Sequence, residues 1–123
     1  MNRDKAGVVA VVDDDDEVRD VLRMLLETSG HTVDTYKSGT QFLTEARFEE
    51  ILCLVLDQCM PSMTGLELIS ALNESGVTIP TLLITGAHDT EVARKAESLG
   101  AMTVLEKPLP CEALLRFVAF SAG

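Results

Sequence analysis

Ile51-Leu52-Cys53-Leu54-Val55-Leu56 runs straight into Asp57, and the chain then turns through Gln58-Cys59-Met60-Pro61. An unbroken apolar run stopped by a proline-containing loop suits a strand covered on both faces, as in a parallel sheet. Asp57 then stands at the carboxyl edge of that strand. Ligands bind at this edge in open α/β sheets, so the fold and the function are both read from what else arrives there.

Upstream, Gly7-Val8-Val9-Ala10-Val11-Val12 is a second β-type run, and it ends in Asp13-Asp14-Asp15-Asp16-Glu17. Val18, Val21, Leu22, Leu25 and Leu26 follow with the period of an amphipathic helix. Its acidic start complements a helix N-terminus, and Gly30 closes it. His31-Thr32-Val33-Asp34-Thr35-Tyr36 is polar enough for an edge strand, and residues 39–48 predict a short helix with Phe42, Leu43 and Ala46 inward.

Downstream of the central strand, Leu66, Leu68, Ile69 and Leu72 mark a third helix that ends near Gly76. Pro80-Thr81-Leu82-Leu83-Ile84-Thr85 is another buried-type strand, halted at Gly86. A fourth helix is predicted over 89–99, with Val92, Ala93 and Ala96 as its stripe and Gly100 as its stop. Residues 102–106 read as a last strand broken by Lys107-Pro108, and a fifth helix over 111–121 turns Leu114, Phe117 and Val118 inward. Strands alternating with helices give an α/β fold built on a five-stranded parallel sheet.

The length of 123 residues and the apolar fraction of 46% suit one domain over 1–123, with a core that needs no disulfide or structural metal. The apolar runs fall far short of the roughly 20 residues that cross a bilayer. Met1-Asn2-Arg3-Asp4-Lys5 resembles no signal peptide, so the expected location is cytoplasmic. A formal charge of −10 argues against nucleic acid or an anionic membrane as a direct partner and favours a cation or a basic protein surface. Cys53, Cys59 and Cys111 have no C-x-x-C spacing, so neither a disulfide framework nor a zinc site is expected. Cys53 is read as a core residue.

Four strand ends carry chemistry: Asp13 and Asp14, Asp57, Thr85, and Lys107. In a parallel sheet these ends lie together. Carboxylates gathered there repel one another by about 4 kcal/mol per pair at 4 Å and an effective dielectric of 20. Lys107 offsets part of this, and a hard divalent cation offsets the rest. Mg²⁺ suits better than Ca²⁺, because it accepts few carboxylates together with water and a substrate phosphate. A metal, a lysine and a hydroxyl stabilise a transferring phosphoryl group. Asp57, alone on the central strand, is the candidate nucleophile, with Asp13 and Asp14 as metal holders.

Val12-Asp13-Asp14, Leu56-Asp57 followed by Met60-Pro61 and Gly65, Ile84-Thr85-Gly86, and Gly100-Ala101 leading to Glu106-Lys107-Pro108 together resemble the receiver domain of two-component response regulators. The resemblance spans essentially the whole chain, with every motif in order. It implies a flavodoxin-like, doubly wound sheet in the order 2-1-3-4-5, with two helices on one face and three on the other.

The resemblance further implies that Asp57 accepts a phosphoryl group from a sensor histidine kinase or a phosphotransfer protein. Asp14 would bind Mg²⁺ directly, Asp13 mostly through water, and the backbone carbonyl of Cys59 would complete the protein ligands. Lys107 would pair with the phosphoryl oxygens and Thr85 would swing to hydrogen-bond them, with Lys107-Pro108 as a cis peptide. Such a domain acts as a signalling switch rather than an enzyme on other substrates. It works with an output domain, fused or separate, and in some members through a phosphorylation-dependent dimer.

Val104 stands where the family usually carries Phe or Tyr, and Thr103 replaces a common acidic residue. A switch is then expected to rely on Thr85 and residues 86–89 repositioning the fourth helix. Cys59 and Ala87 occupy positions that tune phosphate lifetime in this family. Two rival readings are an aspartate-nucleophile phosphatase of the haloacid-dehalogenase type and a non-phosphorylated pseudo-receiver. The former places its nucleophile on the first strand, and the latter usually lacks the acidic pair, the acceptor or the lysine. A calcium loop at Asp13 to Asp16 fails for want of alternating spacing and a central glycine.

Overall fold

Each β-type run is followed by a helix that carries the chain back, so successive strands point the same way. The computed structural model describes residues 7–86 and 89–122. Its strands are β1 (Val8–Val12), β2 (Val33–Tyr36), β3 (Ile51–Asp57), β4 (Thr81–Thr85) and β5 (Thr103–Glu106). They form one parallel sheet in the order β2-β1-β3-β4-β5. The helices are α1 (Asp16–Thr28), α2 (Gly39–Glu45), α3 (Gly65–Glu74), α4 (Thr90–Ser98) and α5 (Cys111–Ala122), with a short 3₁₀ turn at Phe48–Glu50. The expected flavodoxin-like architecture is therefore the observed one.

Alternation along the strands divides the core in two. Ala10, Val12, Leu54, Leu56 and Leu83 face α2, α3 and α4 through Phe42, Leu68, Leu72 and Ala96. Val9, Val11, Cys53, Val55, Leu82 and Ile84 face α1 and α5 through Leu22, Leu26, Leu114 and Phe117. The two-and-three division of helices follows. Residues 53–57 of β3 and all of β4 are buried, which is why both read as nearly continuous apolar runs. At the edges, β2 is buried only at its end residues Val33 and Tyr36, and β5 is only half-buried.

Two local expectations are corrected. Val18 and Val21 belong to the predicted stripe of α1, yet they are 36% and 56% exposed. The face that packs is centred on Leu22 and Leu26, one turn apart. Val21 lies about 100° around the helix from Leu22, and Val18 sits in the helix's first turn. The helix predicted over 39–48 ends at Glu45, because Ala46 adopts extended backbone before the 3₁₀ turn. Leu43 and Ala46 still pack against the core. The readings of residues 1–6, Ala87, His88 and Gly123 lie outside the described residues.

Candidate functional site

The β1 carboxyl end is shaped by its own acidic run. The Asp13 carboxylate accepts the Asp15 backbone N–H at 2.9 Å. Asp15 is the N-cap of α1 and accepts the N–H groups of Glu17 and Val18 at 2.9 and 3.2 Å, satisfying donors that the helix leaves free. Arg19 donates to the Asp13 carbonyl at 2.6 Å and pairs with Asp16. Asp14 is left exposed and without such a local bond.

At the neighbouring edge, Asp57 ends β3 and pairs in register with Ile84, so Thr85 lies one residue further along the adjacent strand. Asp57 is 3% exposed and Thr85 2%. The Lys107 backbone N–H donates to the Thr85 carbonyl at 2.9 Å, which brings β5 and its lysine to the same edge. The Lys107 ammonium lies 3.0 Å from Asp57 Oδ1, with its side chain half-exposed. The Lys107-Pro108 peptide is cis, as the resemblance implies. Gly65 lets the start of α3 pass the end of β3: an added Cβ would meet the Asp57 carbonyl oxygen at 2.9 Å and Leu83 Cδ1 at 2.6 Å.

Carboxylate oxygens of Asp13, Asp14 and Asp57 lie within 4.8 Å of one another. Burial is the main cause that pushes the Asp13 carboxyl up to about 6, and the charges of Asp57 and Asp14 add to it against the Asp15 N–H. Burial likewise raises Asp57, opposed by the Lys107 ammonium and the Cys59 backbone N–H and reinforced by Asp14. The Lys107 pKa is raised in turn, first by its close pairing with the Asp57 carboxylate. Although Lys107 is at ion-pair distance, no donor is aligned for a hydrogen bond to Asp57 Oδ1, and Thr85 Oγ1 has no partner either. Buried polar atoms are rarely left so. Oxygen donors of this number and hardness fit a small divalent cation.

Every site residue expected from sequence therefore falls at this edge: Asp13, Asp14, Asp57, Thr85 and Lys107, with Cys59 two residues beyond Asp57 and exposed. Two residues of the surrounding framework escaped the sequence reading. Arg19 holds the Asp13 backbone, and its only signal was a cation three residues after Asp16. Gln58 bonds both β4 and the start of α3, and nothing in its local pattern marks it.

A doubly wound sheet in this strand order, with an acidic cluster and a lysine at its carboxyl edge, defines a receiver-type domain. Residues 9–119 match the response regulator receiver domain family, so the chain belongs to that family of two-component signalling domains. It is 40% identical over 115 residues to the transcriptional regulatory protein FixJ of Azorhizobium caulinodans, covering 94% of this chain and 54% of that protein. To the response regulator protein TodT of Pseudomonas putida it is 37% identical over 112 residues, covering 91% and 49%. The chain thus spans about half the length of these relatives. The crystal structure of FixJ-N superposes with a TM-score of 0.85 at 30% identity, covering 99% of this chain and 95% of that one. The response regulator StyR gives 0.87 at 39% identity, covering 94% and 59%.

Proposed function

We propose that the chain is one receiver unit over 1–123 that takes a phosphoryl group onto Asp57 from the phosphohistidine of a sensor histidine kinase or phosphotransfer protein. The observation that carries this reading is the pairing of Asp57 with Lys107 at 3.0 Å beside two further carboxylates, with Asp57 Oδ1 and Thr85 Oγ1 buried and lacking an aligned hydrogen-bond partner. A carboxylate oxygen of Asp57 attacks phosphorus. The new O–P bond forms as the P–N bond of the donor breaks, and the imidazole leaves with its electron pair.

Asp13, Asp14, Asp57 and the backbone carbonyl of Cys59 would hold Mg²⁺, which when bound neutralises charge on the carboxylates and the phosphoryl oxygens. Lys107 exchanges its Asp57 partner for a phosphoryl oxygen, so the product keeps a charge-assisted contact. Thr85, whose hydroxyl has no bond to break, donates it to the acyl phosphate. Val104 packs against the α2–α4 side of the core without a ring to swing, so the signal passes through Thr85 to the start of α4, where Asp89 caps the helix. The relatives' names point to an output in transcription, reached through further residues or a separate partner.

Intact-mass measurement after treatment with acetyl phosphate tests the reading. One phosphoryl group per chain is expected with Mg²⁺, none with EDTA, and none in Asp57→Asn. Repeated turnover of a generic phosphomonoester without stable labelling would favour the phosphatase instead. No labelling of the wild type under any condition would favour a pseudo-receiver.

A further inference from the structure

We infer that Gln58 is a positioning residue for the metal-holding loop: it fastens both ends of the 59–64 segment and so presents the Cys59 backbone to the acidic cluster. The inference rests on the receiver reading above. At the N-terminus of α3 the first backbone N–H groups have no partner within the helix. Glu67 N–H is taken by the Thr64 hydroxyl in a capping box. The other two go to one residue, since Gly65 N–H donates to the Gln58 carbonyl at 3.1 Å and Leu66 N–H donates to Gln58 Oε1 at 2.9 Å. Gln58 N–H in turn donates to the Ile84 carbonyl at 2.9 Å, extending the β3–β4 ladder one residue past Asp57.

Gln58 is thus bonded to the sheet on one side and to the helix on the other, and the loop between is closed at its neck. Met60, the second residue of that loop and 6% exposed, anchors it in the core. Cys59 is the first residue of the loop, held on one side by its own N–H to the Asp57 carboxylate and on the other through its neighbour Gln58. Removing the side-chain acceptor leaves the Leu66 N–H, which is partly buried, without a partner. The start of α3 then loosens while Asp57 stays in the sheet. The loop that supplies a metal ligand is perturbed and the phosphoacceptor is not.

Outer partners of metal ligands change metal affinity by about 10- to 100-fold, and the lower end is expected here because one of two bonds from Gln58 to α3 survives. Mg²⁺ titration by calorimetry, with the Mg²⁺ dependence of acetyl phosphate labelling alongside, should show about tenfold weaker binding in Gln58→Leu. Labelling at saturating Mg²⁺ should match the wild type. Gln58→Asn, whose oxygen is one methylene short, should behave like Gln58→Leu, and Gln58→Glu, which keeps an acceptor at the same reach, should restore most of the affinity. Unchanged Mg²⁺ affinity in both Gln58→Leu and Gln58→Asn overturns the inference, as does a labelling loss that saturating Mg²⁺ does not recover. A wild type that binds no Mg²⁺ overturns the receiver reading and this inference together, whereas tight wild-type binding with equally tight variants overturns this inference alone.

Discussion

Replacing Asp57 by Asn should stabilise the metal-free protein. The change is nearly isosteric and removes one charge from a cluster whose oxygens lie within 4.8 Å of one another. At that separation and an effective dielectric of 20, the buried pair Asp13 and Asp57 repels by about 3.5 kcal/mol. Asp14 is exposed, so its repulsion is nearer the value in water, about 1 kcal/mol. Against this stands the pair with Lys107 at 3.0 Å, whose ammonium is half-exposed. Screening reduces a pair of that kind to about 1 kcal/mol. The balance favours Asn by about 3.5 kcal/mol, brought to about 2 to 3 by the bonds the amide N–H₂ fails to make.

For a domain of this size each kcal/mol moves the melting temperature by about 4 °C, so Asp57→Asn should melt about 8 to 12 °C higher in EDTA at pH 7.5. Millimolar Mg²⁺ should narrow the gap, because binding to the folded state raises the wild type by mass action and the variant offers one carboxylate fewer. Calorimetric unfolding of both proteins, with and without Mg²⁺, measures all four numbers. A variant that melts lower than wild type in EDTA would refute the repulsion argument and mean that Asp57 is held by net favourable contacts.

The Asp13 carboxyl, pushed up to about 6 against an ordinary 3.8, binds more protons folded than unfolded. Metal-free stability should therefore fall as pH rises from about 4 to about 6, by up to about 3 kcal/mol; Asp57 acts in the same direction, while Lys107 acts only at alkaline pH. Urea denaturation across this range should show a clearly shallower slope for Asp13→Asn, and an equal slope would remove Asp13 as its cause. Cys59 and Cys111 are exposed and Cys53 is fully buried with its thiol pushed up to about 11. A thiol reagent should add two labels to the native chain and a third only in denaturant; three native labels would contradict the packing of β3. Gly65→Ala would place a methyl against the Asp57 carbonyl and Leu83, and a loss of about 1 to 3 kcal/mol is expected. Unchanged stability would show that α3 can back away from the strand end.

Much of the fold was legible because burial on both faces leaves an unmistakable record. β3 and β4 read as apolar runs, and residues 53–57 and 81–85 are buried throughout. The site was legible for a related reason. A charged residue directly after such a run has to emerge at the sheet edge, as Asp13 and Asp57 do, while Lys107 was marked instead by the proline that stops β5. The stripe of α1 was less legible: periodicity fixes an angle around the helix but not how far each turn reaches over the sheet, so Val18 and Val21 read as core and stand exposed.

The framework of the site was the least legible, and the reason is physical. Arg19 and Gln58 act through backbone groups, donating to the Asp13 carbonyl and accepting from Leu66 N–H. Backbone partners carry no residue type, so such bonds leave no pair of complementary letters in a sequence. Their place follows only once the fold brings a helix start beside a strand end. The carboxylates specify which ion is wanted, whereas the residues that bond to the chain on either side of them specify how firmly the loops around it are held. If that division is right, substitutions at Gln58 should change Mg²⁺ affinity and leave the choice of Asp57 as acceptor untouched.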